Sequence, residues 1–258
     1  MSDNFVWIYT SSGRVTLNAM CGRYSLTSPV DSVARLFGFD ERPNLMARYN
    51  IAPTQDALIV RGGSQVDSSD SSEALHGVTV RWGLTPSWAK SLDDGVRMIN
   101  ARSETVRDKP AFRAAYGARR CLIPADGFYE WRKVGGGKQA YRIAMDGNSV
   151  FAFAGLWESW RAPSGADVET CAILTTEATP RLTPVHHRMP VILNPGDYAV
   201  WLNGSPEAAA PLMRPYESEA LQAYPVGAAV GNVRNDGPEL WAAAPEPRDD
   251  PPPPKQLD

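Results

Sequence analysis

Residues 119–157 read RRCLIPADGFYEWRKVGGGKQAYRIAMDGNSVFAFAGLW. Strand-forming runs at 119–123, 127–133, 139–146 and 150–157 follow one another with only turn residues between them. Gly135-Gly136-Gly137 supplies one of those turns, a hairpin connection. A further run at 170–176 extends the series. Upstream, 57–61 (ALIVR) and 78–82 (VTVRW) are also strand-like, and 221–227 reads as a strand near the end. Helices are few and short. Ser28 reads as an N-cap with Pro29 at the first helical position and Gly38 as the terminator. The stretch 103–117 predicts one or two short helices interrupted at Pro110, and 196–202 and 206–213 read as helical. Many consecutive strands with scattered helices predict a single α+β domain rather than alternating βαβ units.

At 258 residues with 43% hydrophobic content, the chain is long enough for one substantial core. It contains no apolar run of about 18 residues and no signal-peptide pattern at the start, so neither a membrane span nor a membrane partner is expected. Residues 1–19 show no clear period and read as a short disordered arm, or as an extension ahead of a true start at Met20. The Ser/Asp/Gly-rich segment 61–77 predicts a mobile loop, and 244–258 a disordered Pro-rich tail. The formal charge is −3, and residues 239–258, with five acids and two bases, account for all of it. The remaining body is neutral, which neither predicts nor excludes a basic groove.

Cys21, Cys121 and Cys171 are an odd, widely spaced set with no CxxC pair. That argues against a disulfide framework and fits a reducing, cytoplasmic setting. Cys121 reads as core. Cys21 reads as core too, unless Met20 is the initiator and is removed. Cys21 would then carry a free α-amine beside its thiol, and this 1,2-aminothiol closes a five-membered thiazolidine with an aldehyde. With an amine pKa of about 7.7–8.0 and a thiol pKa of about 8.5, both groups would be partly nucleophilic near neutral pH.

Three other segments combine polar groups densely. In Asn100-Ala101-Arg102-Ser103-Glu104, the short polar residues are helix caps, or Asn100 hydrogen-bonds in a site and Arg102 clamps a phosphate. In Phe128-Tyr129-Glu130-Trp131, alternation puts Glu130 on the face of Phe128, opposite Tyr129 and Trp131. Either Glu130 is exposed on a half-buried strand, or desolvation raises its pKa and makes it an acid/base. His186-His187-Arg188 holds two of the three histidines. It is either an exposed loop or a proton shuttle beside a phosphate ligand. Neighbouring histidines cannot readily share one ion, so no metal site is predicted, and no cofactor motif occurs. Trp82, Trp88 and Trp131 lie among Arg81, Lys90 and Arg132, a pattern that stacks nucleobases or simply fills a core.

The motifs CGRY (from Cys21), NIAPTQ (Asn50 to Gln55), RWGLTPSWAK, INARSET, RRCLIPADGFYEW, FAGLWE, LTTEA, HHRMPVIL and VRNDGPEL occur in that order to about residue 240. In this the chain resembles the SOS-response-associated peptidase family, also described as abasic-site processing proteins. The resemblance implies a domain over 20–243, with mostly antiparallel sheets curled into a barrel-like core, short flanking helices and a DNA-binding groove. It implies a nucleophile at Cys21 after removal of the preceding Met, with Asn100, Glu130 and His186 as catalytic partners. It also implies contacts of Arg23, Arg102, Thr175 and Arg188 with phosphates, and Pro53, Trp82 and Trp88 along the groove. The implied partner is single-stranded DNA with abasic sites, bound by a monomer and joined to Cys21 as a thiazolidine. A thiol peptidase using Cys21, and a DNA-binding module with a structural Cys21, are the rival readings.

Overall fold

The computed structural model describes residues 6–10, 13–17, 21–62, 74–135 and 137–247. In chain order it forms β1 (Val6–Thr10), β2 (Gly13–Leu17), β3 (Tyr24–Leu26), α1 (Val30–Phe37), β4 (Arg48–Ile51), β5 (Asp56–Gly62) and β6 (Leu75–Trp82). There follow β7 (Asn100–Arg102), α2 (Arg113–Ala118), β8 (Arg120–Ala125), β9 (Gly127–Val134), β10 (Gly137–Met145), β11 (Phe151–Arg161) and β12 (Asp167–Glu177). The chain ends with β13 (Arg188–Pro190), β14 (Ile192–Leu193), α3 (Tyr198–Asn203), α4 (Pro206–Ala209) and β15 (Leu221–Val226).

Five strands close on themselves in the order β12-β6-β5-β8-β11 and back to β12, so this barrel has no free edge there. The closing β12–β6 pair is parallel, with Cys171 opposite Trp82, and the other four contacts are antiparallel. β7 and β13 add to β12, and β14 adds to β11. A second sheet runs β15-β10-β9-β3-β4. The predicted α+β, barrel-centred domain is therefore what forms.

Asp126 is the residue at which the chain leaves the barrel (β8) for the second sheet (β9). Its carboxylate accepts from Ser25 Oγ at 2.6 Å, Thr27 N at 2.5 Å and Thr27 Oγ1 at 2.8 Å, which fixes β3 against that corner. Aromatic rings then lock the sheets together. Tyr24 meets Trp82 at 5.3 Å and Phe153 at 5.9 Å, and Phe128 meets Phe153 at 5.9 Å, all edge-on. Such pairs contribute about 0.5–1.5 kcal/mol each beyond the area they bury. Gly155 is needed where β8 and β11 meet. A Cβ there would lie 2.7 Å from Ile123 and 2.8 Å from Cys121 Sγ.

Several expectations need correcting. Residues 6–10 and 13–17 pair as a separate antiparallel hairpin, Val6 opposite Leu17 and Thr10 opposite Gly13, rather than remaining irregular. The valines, isoleucine and threonines there favour strands even without strict alternation. Pro29 is the N-cap of α1, not its first helical residue, and its carbonyl accepts from Ser32 and Val33. No side chain caps that end, but Gly38 closes the helix at φ 76° as predicted. The ladder of β5 and β6 reaches Gly62 and Leu75, so the flanks of the expected 61–77 loop are strand, while 63–73 lie outside the described residues. Within 103–117 only α2 forms, at its C-terminal end. Ala244 N donates to Pro225 O and Glu246 accepts from Tyr141 Oη at 2.7 Å, so the first part of the expected tail is tied down, and 248–258 lie outside the described residues. The hairpin through Gly135 and Gly137 joins β9 to β10 as expected.

Candidate active site and nucleic-acid interface

Cys21 lies three residues before β3, fully buried, and its φ of 44° is in the left-handed region that non-glycine residues seldom adopt. Its backbone N–H donates to Glu130 Oε1 at 2.6 Å, across 109 residues of sequence. β9 supplies Glu130 through its pleat. Phe128 packs into the main core while Tyr129 and Trp131 pack with Val226, Val230 and Leu240 in a second one. Glu130 itself is only 4% exposed, so it is not a surface carboxylate. Burial pushes its pKa up to about 8, against the pull of hydrogen bonds from the Cys21 and Trp131 backbones. The group is therefore poised to hold or release a proton near neutral pH. The Cys21 thiol differs from its expected behaviour. Burial, and then the charge of Glu130, drive its pKa well above the ordinary value, so the thiol stays protonated until a base takes the proton.

Two short strands and the long one between them build a second cluster. β7, β12 and β13 lie side by side, with Arg102 opposite Thr175 and Thr175 opposite Pro190. Opposed residues point to one face and alternate residues share it, so Asn100, Arg102, Thr175 and Arg188 all face the same way. Arg102 is exposed and Asn100 half-buried. Arg188 Nη1 and Nη2 grip Glu104 Oε1 and Oε2 at 2.7 and 3.0 Å, and Nη2 also donates to Thr175 O at 2.7 Å and Thr175 Oγ1 at 3.2 Å. His186 is buried beneath this group. Its Nδ1 lies 3.1 Å from the Arg188 N and 3.2 Å from the Arg188 O, accepting from the first or donating to the second according to the tautomer, and its ring stacks on His187 at 4.5 Å. Burial, then the neighbouring His187, lower its pKa to about 4, so it is a neutral imidazole at neutral pH and not an imidazolium acid.

Three of the residues expected to touch DNA face inward instead. Trp82 has no exposed surface, and its Nε1 donates to Ile99 O at 2.9 Å, because the closing strand pair of the barrel buries the ring. Pro53 is buried in the turn between β4 and β5, beside Thr54 at φ 71°. Arg23, 2% exposed, spends its guanidinium on Asn50 Oδ1, Val230 O and Gly231 O at 3.2, 2.8 and 3.3 Å. Its carbon lies 6.0 Å from the Trp131 ring centre. Trp88, by contrast, is 65% exposed and stays available for stacking.

Two residues that shape this region carried no expected role. Glu104 stands two positions after Arg102, but nothing in the sequence pairs it with Arg188, 84 positions away. Asn50 is fully buried and donates to the carbonyls of Val230, Asn232 and Asn235 at 3.1, 3.1 and 2.9 Å. Beside it, Asp236 accepts from the backbones of Tyr49 and Asn50. The motifs NIAPTQ and VRNDGPEL are thus two halves of one contact. A cavity of about 450 Å³ lies between residues 179–182 and 216–221, but none of the site residues line it. Among the described residues, no three His, Cys, Asp or Glu side chains are grouped to hold a metal ion, and no helix is long and apolar enough to cross a membrane.

A model of the SOS response associated peptidase (SRAP) family matches residues 20–233. The abasic site processing protein YoqW of Bacillus subtilis (strain 168) is 39% identical over 228 residues, covering 86% of this chain and 98% of that protein. The abasic site processing protein HMCES of Gallus gallus is 35% identical over 222 residues, covering 74% of this chain and 64% of that protein. A solved structure of a protein from Bacteroides thetaiotaomicron superposes with a TM-score of 0.73 at 27% identity, covering 87% of this chain and 100% of that one.

Proposed function

The chain belongs to the SOS response associated peptidase (SRAP) family, and from that premise we propose that it processes abasic sites in single-stranded DNA by bonding to them through Cys21. The observation that carries this reading is the 2.6 Å contact between Cys21 N and Glu130 Oε1. In a chain that starts at Cys21, that nitrogen is a primary amine held against a buried carboxyl group.

The steps follow from these groups. The open form of an abasic deoxyribose carries an aldehyde. His186, neutral and with its proton on Nε2, hydrogen-bonds the sugar ring oxygen as the C1′–O4′ bond breaks; that oxygen takes up one proton while the anomeric hydroxyl gives one up, which yields the aldehyde. The Cys21 amine adds to the aldehyde carbon and gives a carbinolamine. Glu130 in its acid form protonates the carbinolamine hydroxyl, which leaves as water and leaves an iminium. The Glu130 carboxylate then takes the thiol proton as sulfur adds to the same carbon. A neutral thiazolidine results, one water is lost overall, and Glu130 is again protonated. A base is needed because the thiol is held protonated. Asn100 hydrogen-bonds the sugar. Arg102 and Arg188 hold backbone phosphates, Thr175, itself without exposed surface, positions the Arg188 guanidinium, and Trp88 stacks on a base beside the lesion. The protein works as a monomer, in the cytoplasm, on nucleoid DNA.

The deciding experiment compares the full chain with protein trimmed to begin at Cys21, each mixed with an abasic single-stranded oligonucleotide and run on a denaturing gel. The trimmed form should give a heat-stable adduct whose mass is the sum of the partners less one water, and Cys21→Ala should give none. A trimmed protein of verified mass that forms no adduct sinks the proposal. Peptide cleavage by the same protein would favour a thiol peptidase, although Cys21 meets a carboxyl at its nitrogen, the Glu130 Oε1 contact.

A further inference from the structure

Arg188 is far less exposed than Arg102, the other cation that holds phosphate in the proposed reading, and three of its N–H groups are already taken. The guanidinium has five N–H groups. One on Nη1 and one on Nη2 go to the two oxygens of Glu104, at 2.7 and 3.0 Å. The other on Nη2 goes to Thr175, at 2.7 Å to the carbonyl. The Arg188 side chain is 9% exposed and that of Glu104 is 45% exposed, so the carboxylate stands between the guanidinium and solvent. Carboxylate and phosphate make the same bidentate contact with arginine. A DNA phosphate approaching this face therefore meets a negative group already seated where it must bind.

We infer that Glu104 is an anion gate on the phosphate clamp. In the DNA-free protein its carboxylate holds the Arg188 fork, and a backbone phosphate of the bound strand takes its place. This rests on the proposed reading of Arg188 as a phosphate contact. The exchange of one bidentate anion for another keeps a nearly buried cation paired in both states, which avoids leaving it desolvated and alone. It also sets a threshold, since only a strand whose other phosphates are held by the neighbouring exposed Arg102 gains enough to displace Glu104. The gate thus penalises loosely held nucleic acid.

The test measures binding of an undamaged single-stranded oligonucleotide by fluorescence anisotropy across a salt series. The full chain is compared as wild type, Glu104→Gln, Arg188→Gln and the double variant. Glu104→Gln should tighten binding about two- to fivefold, the range set by a half-exposed ion pair, and the gain should vanish when Arg188 is Gln. Unchanged or weaker binding by Glu104→Gln overturns the gate, as does an equal gain in both backgrounds, which is a charge effect alone. Arg188→Lys keeps the charge without the fork and replaces Arg188→Gln if that variant does not fold; it too should abolish the gain. If Arg188→Gln, verified as folded, leaves affinity and salt slope unchanged, then the phosphate role of Arg188 fails, a result distinct from failure of the gate alone.

Discussion

Arg23 Nη1 and Asn50 Oδ1 lie 3.2 Å apart, and both side chains reach the carbonyl of Val230. The strands that begin and flank the site are thereby tied to the segment that wraps the second sheet. Asn50→Ala would leave Arg23 short of one partner, together with up to three carbonyls, that of Val230 buried and those of Asn232 and Asn235 partly so. The expected cost is about 2–4 kcal/mol, read as a lower melting temperature. A variant that melts like the wild type would show that this contact carries no stability.

Glu130→Gln should slow adduct formation roughly 100-fold while binding of undamaged oligonucleotide stays within twofold. The same residue predicts a pH signature in the full chain. Its folded pKa of about 8 lies above the unfolded carboxyl value, so the folded state keeps a proton that the unfolded state gives up. Its effect on stability is absent below about pH 4.3 and grows as a penalty between there and about pH 8. The melting temperature should therefore fall as pH rises through that window, and less steeply in Glu130→Gln.

His186 carries the opposite sign. Its folded pKa is depressed to about 4, so its contribution to stability is present above about pH 6.5 and is lost as pH falls from there towards 4. Because the ring is neutral throughout the neutral range, the rate of adduct formation by the trimmed protein should show no inflection near pH 6.5 that is lost in His186→Ala. His186→Ala should still slow the reaction at pH 7, through loss of the Nε2 hydrogen bond. An inflection near 6.5 that His186→Ala removes would mean that the imidazolium takes part.

The two tryptophans of RWGLTPSWAK should separate cleanly. Trp82→Ala empties a fully buried site and is expected to cost about 3–5 kcal/mol. Trp88→Ala, at 65% exposure, should leave melting unchanged and weaken single-strand binding by about 1–3 kcal/mol. Equal effects on both measurements would remove the distinction.

Much of the fold is legible because its signals are local. Strand-forming runs rich in apolar residues mark β5, β8, β9, β10, β11 and β12, and Gly38 marks a helix end through its own conformation. The short strands β3, β4, β7, β13 and β14 are not legible. Two to four residues carry too little period, and they are strands only because long neighbours pair with them. Burial was the harder quantity. Glu130 on an aromatic strand could be suspected of desolvation, and it is desolvated. Arg23, by the family resemblance, and Trp82, by residue type as well, look like DNA contacts, yet each is enclosed by partners up to 58 positions away for Trp82 and 208 for Arg23. The carboxylate on Arg188 was hidden for the same reason, since sequence separation conceals which charges meet.

The left-handed torsion at Cys21 is a rotation about its own N–Cα bond, and it is defined only while a peptide link to a preceding residue exists. A first residue has no such angle. Severing that link would release about 1–3 kcal/mol of conformational tension, and it would turn a fixed amide into a nitrogen free to pivot about its own Cα. The same amide that keeps the nitrogen unreactive is thus what confines Cys21 to a disfavoured backbone angle.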